Sequence, residues 1–381
     1  MFPRRADLAK LVPDLKVPKS LVQFAKGRLF RTDGLPVDDT IAALLERHRE
    51  PTDPEARSRI EALLSRIMSV SDLTPQLYSQ FANNPNSIAN WFPALHASIE
   101  AAPGTPLSTP RTRILRLPIE LAQFMRVEYQ DTNQVSRQAF NEVVFSGLGL
   151  ADDQTYFLKT GTFSSKFQFA NARCAEPREA GEYLQVVNNL AMMLGAGSTV
   201  DICARDYIEP MEGTPTIYGG MPLRCEFRAF VDLDDLRLMG VVPYWHPSVM
   251  VKALALADDA AGLGHIRGDR PVYEAEEPRL TAEFHRLLPA VSGAVGSLVP
   301  ELATRLSGAW SLDIMADRGT LYAIDMAVLP ESALVDQLLV TDEYTLVSPE
   351  YVRQRMAPAV VYPEPDAPFE GPFYDSGAPA V

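Results

Sequence analysis

Cysteine is scarce. Cys174, Cys203 and Cys225 are the only three in 381 residues, too few and too widely spaced for a disulfide framework or a CxxC-type zinc site. That usage suits a reducing, cytoplasmic compartment. No apolar run approaches the ~20 residues needed to span a bilayer. The start, Met1-Phe2-Pro3-Arg4-Arg5-Ala6-Asp7, has no continuous apolar core of a secretory signal, so no membrane role is expected. Basic residues are outnumbered, 35 Lys and Arg against 49 Asp and Glu, for a net charge of −14. This balance disfavours general binding to nucleic acid or anionic lipid, yet is compatible with a nucleotide phosphate held by a few placed lysines. No internal repeat is present.

What remains is ordinary globular composition, 46% hydrophobic and 22% charged, in a chain long enough for two or three domains or lobes. Residues 1–150 read as a helix-rich region. Thr52-Asp53-Pro54 offers an N-cap with proline in the first turn, followed by Ile60, Leu63, Leu64 and Ile67 at helical spacing. Further helices are expected over 38–49, 88–101 and 136–147. From Asp153 the texture changes. A strand is expected at Thr155–Lys159, a helix over 178–194, an extended segment over Val200–Ile208, a hairpin of Glu226–Val231 with Leu236–Val242, and a long helix over 279–298. Beyond Met356, Pro358, Pro363, Pro365, Pro368, Pro372 and Pro379 exclude a regular helix or a central strand.

The chemistry-bearing residues lie on the strand-like segments. Lys159 ends one, and Gly161-Thr162-Phe163-Ser164-Ser165-Lys166 follows. The segment lacks GxxxxGK and is not a Walker A loop. Its glycine, hydroxyls and two lysines suit either a flexible phosphate cover or a solvated hairpin. Neither Ser164 nor Ser165 has an adjacent base, so a Ser-His-Asp hydrolase is not supported. Alternation puts Glu226 and Arg228 on one strand face; a carboxylate suits ribose hydroxyls and an arginine suits phosphate, although a surface ion pair fits the same pattern.

Two aspartates near the carboxyl end, Asp313 in Trp310-Ser311-Leu312-Asp313-Ile314-Met315 and Asp325 in Leu321-Tyr322-Ala323-Ile324-Asp325-Met326, interrupt apolar strand-like runs on either side of Asp317-Arg318-Gly319. With a three-residue loop at 317–319, Ala316 faces Thr320 and Asp313 faces Ala323. Asp325 then lies diagonally on the same face, roughly 7 Å away or less at Cβ, close enough to share a hard cation such as magnesium. A two-residue loop at Arg318-Gly319 would put the carboxylates on opposite faces. A third reading leaves both solvated on the open face of a hairpin.

In order, the lysine strand, the lysine-bearing loop, Arg205-Asp206-Tyr207-Ile208, the Glu226-Phe227-Arg228 strand and the Asp313/Asp325 hairpin resemble the ATP-grasp superfamily over about 150–335. The resemblance implies an α+β, ATP-grasp fold in which two α+β lobes clasp ATP. The small lobe would be 151–215, the large lobe with its metal-binding hairpin 216–340, and the Pro-rich tail 341–381. It further implies Lys159 and Lys166 on phosphates, Arg205 and the main chain of Asp206, Tyr207 and Ile208 around the adenine, and Glu226 on ribose. Arg228 would act at the phosphates or an intermediate, with Asp313 and Asp325 on magnesium. Family members often carry Asn two residues after the second acidic ligand, where this chain has Ala327; Glu331 is a nearby oxygen donor. The implied activity is Mg-ATP-dependent ligation of a small-molecule or peptide carboxylate to an amine through an acylphosphate. The alternative is a nucleotide-binding assembly protein. Leu158-Lys159, Glu226-Phe227-Arg228-Ala229-Phe230-Val231 and Tyr322-Ala323-Ile324-Asp325 also resemble the ATP-grasp chaperones that assemble a translation initiation factor, with a protein partner reached through the N-terminal region.

Overall fold

Ile88, Trp91, Phe92, Leu95 and Ile99 recur at helical spacing, and all five are buried, Trp91 and Phe92 completely. Their helix lies between two β-sheets and sets the distance between them. The computed structural model that gives this arrangement describes residues 73–102, 104–259, 268–340, 343–356 and 368–378. The expected helix over 38–49 and the capped helix following Thr52 lie outside the described residues, as do Pro358, Pro363, Pro365 and Pro379.

The architecture is α+β. The helices are α1 (Pro75–Ala82), α2 (Ile88–Ala101), α3 (Ile119–Met125), α4 (Gln134–Gly147), α5 (Ala180–Leu194), α6 (Pro247–Asp259), α7 (Asp269–Leu302), α8 (Gln337–Val340) and α9 (Pro349–Arg355). The strands are β1 (Leu107–Ser108), β2 (Thr112–Arg116), β3 (Tyr156–Thr160), β4 (Arg173–Cys174), β5 (Asp201–Asp206), β6 (Thr216–Ile217), β7 (Met221–Pro222), β8 (Glu226–Asp232), β9 (Arg237–Pro243), β10 (Ala309–Asp317), β11 (Thr320–Val328) and β12 (Phe373–Asp375). They form a large sheet ordered β1-β11-β10-β8-β9, a small sheet ordered β12-β2-β5-β3-β4, and the β6-β7 ribbon. No helix among the described residues is long and apolar enough to cross a membrane.

Strand alternation decides what each sheet face does. In the small sheet, Tyr156, Leu158, Ile202 and Ala204 pack with Phe140, Val144 and Leu184 of α4 and α5. The opposite face carries Phe157, Lys159 and Arg205 toward a cleft. In the large sheet, Phe227, Ala229, Leu312, Ile314 and Ala323 pack against α2 and against Phe284, Val291, Val295 and Leu298 of α7. Glu226, Asp313 and Met315 then point the other way, into the same cleft. Each fully buried Leu, Ile or Phe contributes about 1.5–3 kcal/mol, so the two cores hold the polar walls in register.

The helix expected over 279–298 begins earlier, at Asp269. Pro278 looks like a start signal in sequence, yet here it lies inside the helix, where Arg270–Glu274 and Arg279–Glu283 pairs brace the flanking turns. The helix-rich reading of residues 1–150 misses β1 and β2. Pro110 and Pro118 bracket Thr112–Arg116 and stop a helix there, and the segment fits between β5 and β12. Thus this region contributes strands to both sheets. The Pro-rich tail returns as the edge strand β12 immediately after Pro372, a position where proline is tolerated.

Candidate functional site

The floor of the cleft is the centre of the large sheet. Arg228 on β8 pairs in register with Asp313 on β10, which pairs directly with Asp325 on β11. This juxtaposition arises differently from the expected register. Asp317 pairs with Thr320, so the loop is the two residues Arg318-Gly319, and Ile314 rather than Asp313 faces Ala323. Both loop residues have positive φ, 47° and 82°, the type I′ geometry whose twist matches a hairpin. Continued regularly, that register would put the two carboxylates on opposite faces. It does not continue: Asp313 pairs with Asp325 while Ile314 pairs with Ala323, leaving Ile324 as the extra residue of a β-bulge. Ala323 and Met326 both face the core, and Ile324 and Asp325 both line the cleft.

Each carboxylate has a cation beside it. Arg228 donates Nε and Nη2 to the two oxygens of Asp313, both at 2.7 Å. Lys159 reaches across from the small sheet, its Nζ 2.9 Å from Asp325 Oδ1. Lys159 is 2% exposed, whereas the Asp325 side chain keeps 39% exposure and is open to a ligand. Arg205, also on the small sheet, donates Nη1 to the Ile324 carbonyl at the bulge. Lys166 sits with Nζ 3.8 Å from the centroid of the Tyr244 ring.

Burial and charge shift the acids and bases in opposite senses. Burial pushes the Glu226 carboxyl up to about 7, against the pull of Lys166. Burial lowers the Lys166 ammonium below the ordinary lysine value, against Glu226 and Asp313. Burial alone would raise Asp325, but Lys159 and Arg205 outweigh it and hold the carboxyl below its usual range. Burial likewise opposes the charge of Arg228, and Asp313 restores it.

The expected site residues Lys159, Lys166, Arg205, Asp206, Tyr207, Ile208, Glu226, Asp313 and Asp325 line one cleft of about 800 Å³. Its remaining walls include Phe157, Phe169, Met221, Pro222, Met315 and Ile324, which sequence reasoning missed. Phe157 was accessible in principle, since it shares the Lys159 face by alternation. Arg224, also missed, donates to the Ile208 carbonyl and lies 3.3 Å from Asp317. Arg228 lines an adjoining compartment of about 1210 Å³ with Asn86, Tyr244, Ser311 and Glu331. The two compartments share Ser164, Lys166, Asp313 and Asp325.

Of the two readings of the Gly161 segment, a flexible phosphate cover and a solvated hairpin, neither anticipates that the Gly161 backbone is pinned. Its carbonyl accepts from the Ile88 amide and its amide donates to Asp201. A Cβ there would come within 2.1 Å of Ser87 Oγ. His246, next to Tyr244 and Trp245 in sequence, lies 2.8 Å from Ser248 Oγ through Nδ1 and meets the Tyr344 ring edge-on. That makes it a packed residue.

Among the described residues no group of three His, Cys, Asp or Glu side chains could hold a metal by itself. Asp313 and Asp325 nevertheless fit magnesium that takes its other ligands from phosphates and water, the usual arrangement for this small, strongly hydrated ion. Across the two compartments Lys159, Lys166, Arg205, Arg224 and Arg228 are matched by Asp206, Glu226, Asp313, Asp325 and Glu331, so cations for phosphate and carboxylates for a metal lie side by side.

No protein-family model matches the chain, and no curated protein matches it. Among solved structures it is similar to Cdc123 from Schizosaccharomyces pombe, at 11% identity over 71% of this chain and 92% of that one, with a TM-score of 0.37. A C-terminally truncated Cdc123 from the same organism gives 12% identity with the same coverage and TM-score. Both likenesses are remote, and the chemistry of the cleft rests on its own geometry.

Proposed function

We propose that the protein clasps ATP with magnesium between its two sheets, in the manner of an ATP-grasp fold, and uses the bound state to engage a protein partner. The observation that carries nucleotide binding is the convergence of Lys159 and Lys166 with Asp313 and Asp325 in one cleft whose uncharged walls are largely apolar and aromatic. Lys159 and Lys166 take phosphates, Glu226 takes ribose hydroxyls, and the main chain of Asp206, Tyr207 and Ile208 borders the base among Phe157, Phe169 and Met221. Asp313 and Asp325 hold the magnesium, which when bound offsets charge on the phosphates. A cytoplasmic setting goes with this reading and with three buried, unpaired cysteines.

Assembly is preferred to ligation on the metal side chains. Asp313 already has both oxygens engaged by Arg228, and position 327 offers alanine on the cleft wall. Phosphoryl transfer relies on positioning and on neutralising charge at the transferred group, so a thin ligand set weakens catalysis more than binding. Ligation of a carboxylate to an amine through an acylphosphate is the second reading. It is favoured by the adjoining compartment that shares Lys166 and both aspartates.

The test pairs calorimetry with a turnover assay. ATP should bind in magnesium, with no release of ADP or AMP when amino acids and peptides are offered in pools. Absence of ATP binding refutes the proposal as a whole, whereas acceptor-dependent ADP or AMP release replaces assembly with ligation.

A further inference from the structure

We propose that Arg205 is a positioning residue, holding the β-bulge at Ile324 that turns Asp325 into the cleft. The inference rests on the magnesium-ATP reading for its consequence and on the backbone geometry for its origin. Regular alternation from Ala323, which faces the core, would place Ile324 in the cleft and Asp325 in the core. The bulge is what lets two consecutive residues face the cleft, and it has to be maintained.

The outer edge of β11 shows how. β1 covers that edge only at Leu321 and Tyr322, so the backbone groups beyond need other partners. Asn86 Oδ1 accepts from the Val328 amide and Asp325 Oδ1 from the Met326 amide. Arg205 Nη1 donates to the Ile324 carbonyl. Arg205 is 5% exposed, its guanidinium lies 5.4 Å over the Phe92 ring, and its Nε and Nη2 are buried with no hydrogen-bond partner. A buried cation with two idle donors is costly to keep. Its charge also favours the ionised form of Asp325. Lys159 binds the same carboxylate, but a phosphate that recruits Lys159 leaves the bulge and Arg205 to aim Asp325.

The experiment uses Arg205→Met, which keeps an apolar stem beside Phe92, and Arg205→Lys, which keeps a charged donor. In the ligand-free protein, amide hydrogen exchange over 322–327 should accelerate by about tenfold or more in Arg205→Met, beyond any change in the other strands, and stay near wild type in Arg205→Lys. Unchanged exchange there, or a uniform increase across the protein, overturns the proposal whether or not ATP binds. Calorimetry with ATP in magnesium chloride and in EDTA reads the consequence. Arg205→Met should weaken binding about tenfold in magnesium and by less than about threefold in EDTA, and the magnesium-specific loss should vanish in an Asp325→Asn background. An equal loss in both solutions overturns the positioning role. Wild-type ATP binding that ignores magnesium refutes the metal reading, and the exchange measurement still decides Arg205.

Discussion

Replacing Lys159 with methionine tests the centre of the cleft, because one side chain serves two purposes there. It ties the small sheet to the large one through Asp325, at 2.9 Å, and it is the buried cation facing the proposed phosphates. Methionine fills a similar volume, so packing is largely kept. Loss of a charge-assisted phosphate contact should cost about 1.5–3 kcal/mol of ATP binding, roughly a ten- to hundredfold weaker Kd. Stability should fall by only about 1–3 kcal/mol, since the Asp325 side chain is 39% exposed and water takes over part of the interaction. The acid limb supplies a second readout. The folded-state value of Asp325 is depressed below 3.8, so its contribution is present above that pH and lost as pH falls through the folded value. Lys159→Met removes part of this contribution, and denaturation should show a shallower loss of stability below about pH 4. Adding Asp325→Asn should recover part of the stability lost in Lys159→Met, because the carboxylate that lost its Lys159 partner is then neutral. Calorimetry with ATP and urea melts between pH 3 and 7 suffice. Unchanged ATP affinity together with an unchanged acid limb would refute both roles.

Four further outcomes follow from the same geometry. ATP binding should take up protons near neutral pH, because polyphosphate favours protonated Lys166 and protonated Glu226; the latter sits at about 7. Affinity should therefore fall as pH rises, and titrations in buffers of different ionisation enthalpy should show reduced uptake in Glu226→Gln. Glu226→Gln should also flatten a decline in stability between about pH 4.5 and 7, since a raised carboxyl value favours folding below that window and loses the advantage across it. Gly161→Ala should destabilise by about 1–3 kcal/mol through overlap with Ser87 and Thr199, seen as a lower Tm. Ala327→Asn supplies an oxygen on the cleft wall and should tighten magnesium-dependent ATP binding severalfold; no change would mean that position 327 lies outside the metal's reach.

The elements that carry strong local signals were legible. The helix over 88–101 runs Ile88–Ala101 as expected, and the strand ending near Lys159, the extended segment near 201–206 and the hairpin at 226–243 form with shifts of a residue or two. Each combines regular periodicity with a clear stop. What was not legible depends on partners distant in sequence. Thr112–Arg116 carries few cues of its own and becomes a strand because β5 and β12 flank it. Pro278 resembles a helix boundary until neighbouring turns and ion pairs carry the helix through it.

The aspartate pair shows where local reasoning ends. Sequence parity offered two registers, one placing the carboxylates together and one separating them, and the chain takes the loop of the second with the outcome of the first. Arg318-Gly319 is the locally favoured turn, but continued regularly it would bury Asp325 on the face of Ala323, in an apolar core. Burying an unpaired carboxylate there costs far more than a bulge, which gives up one ladder position. The bulge residue carries no mark in sequence, because Ile324 is an ordinary strand former. Its partner is Arg205, more than a hundred residues earlier in the chain, and Asp325's partner Lys159 lies earlier still. The position of both carboxylates at the cleft is therefore a property of the two sheets meeting.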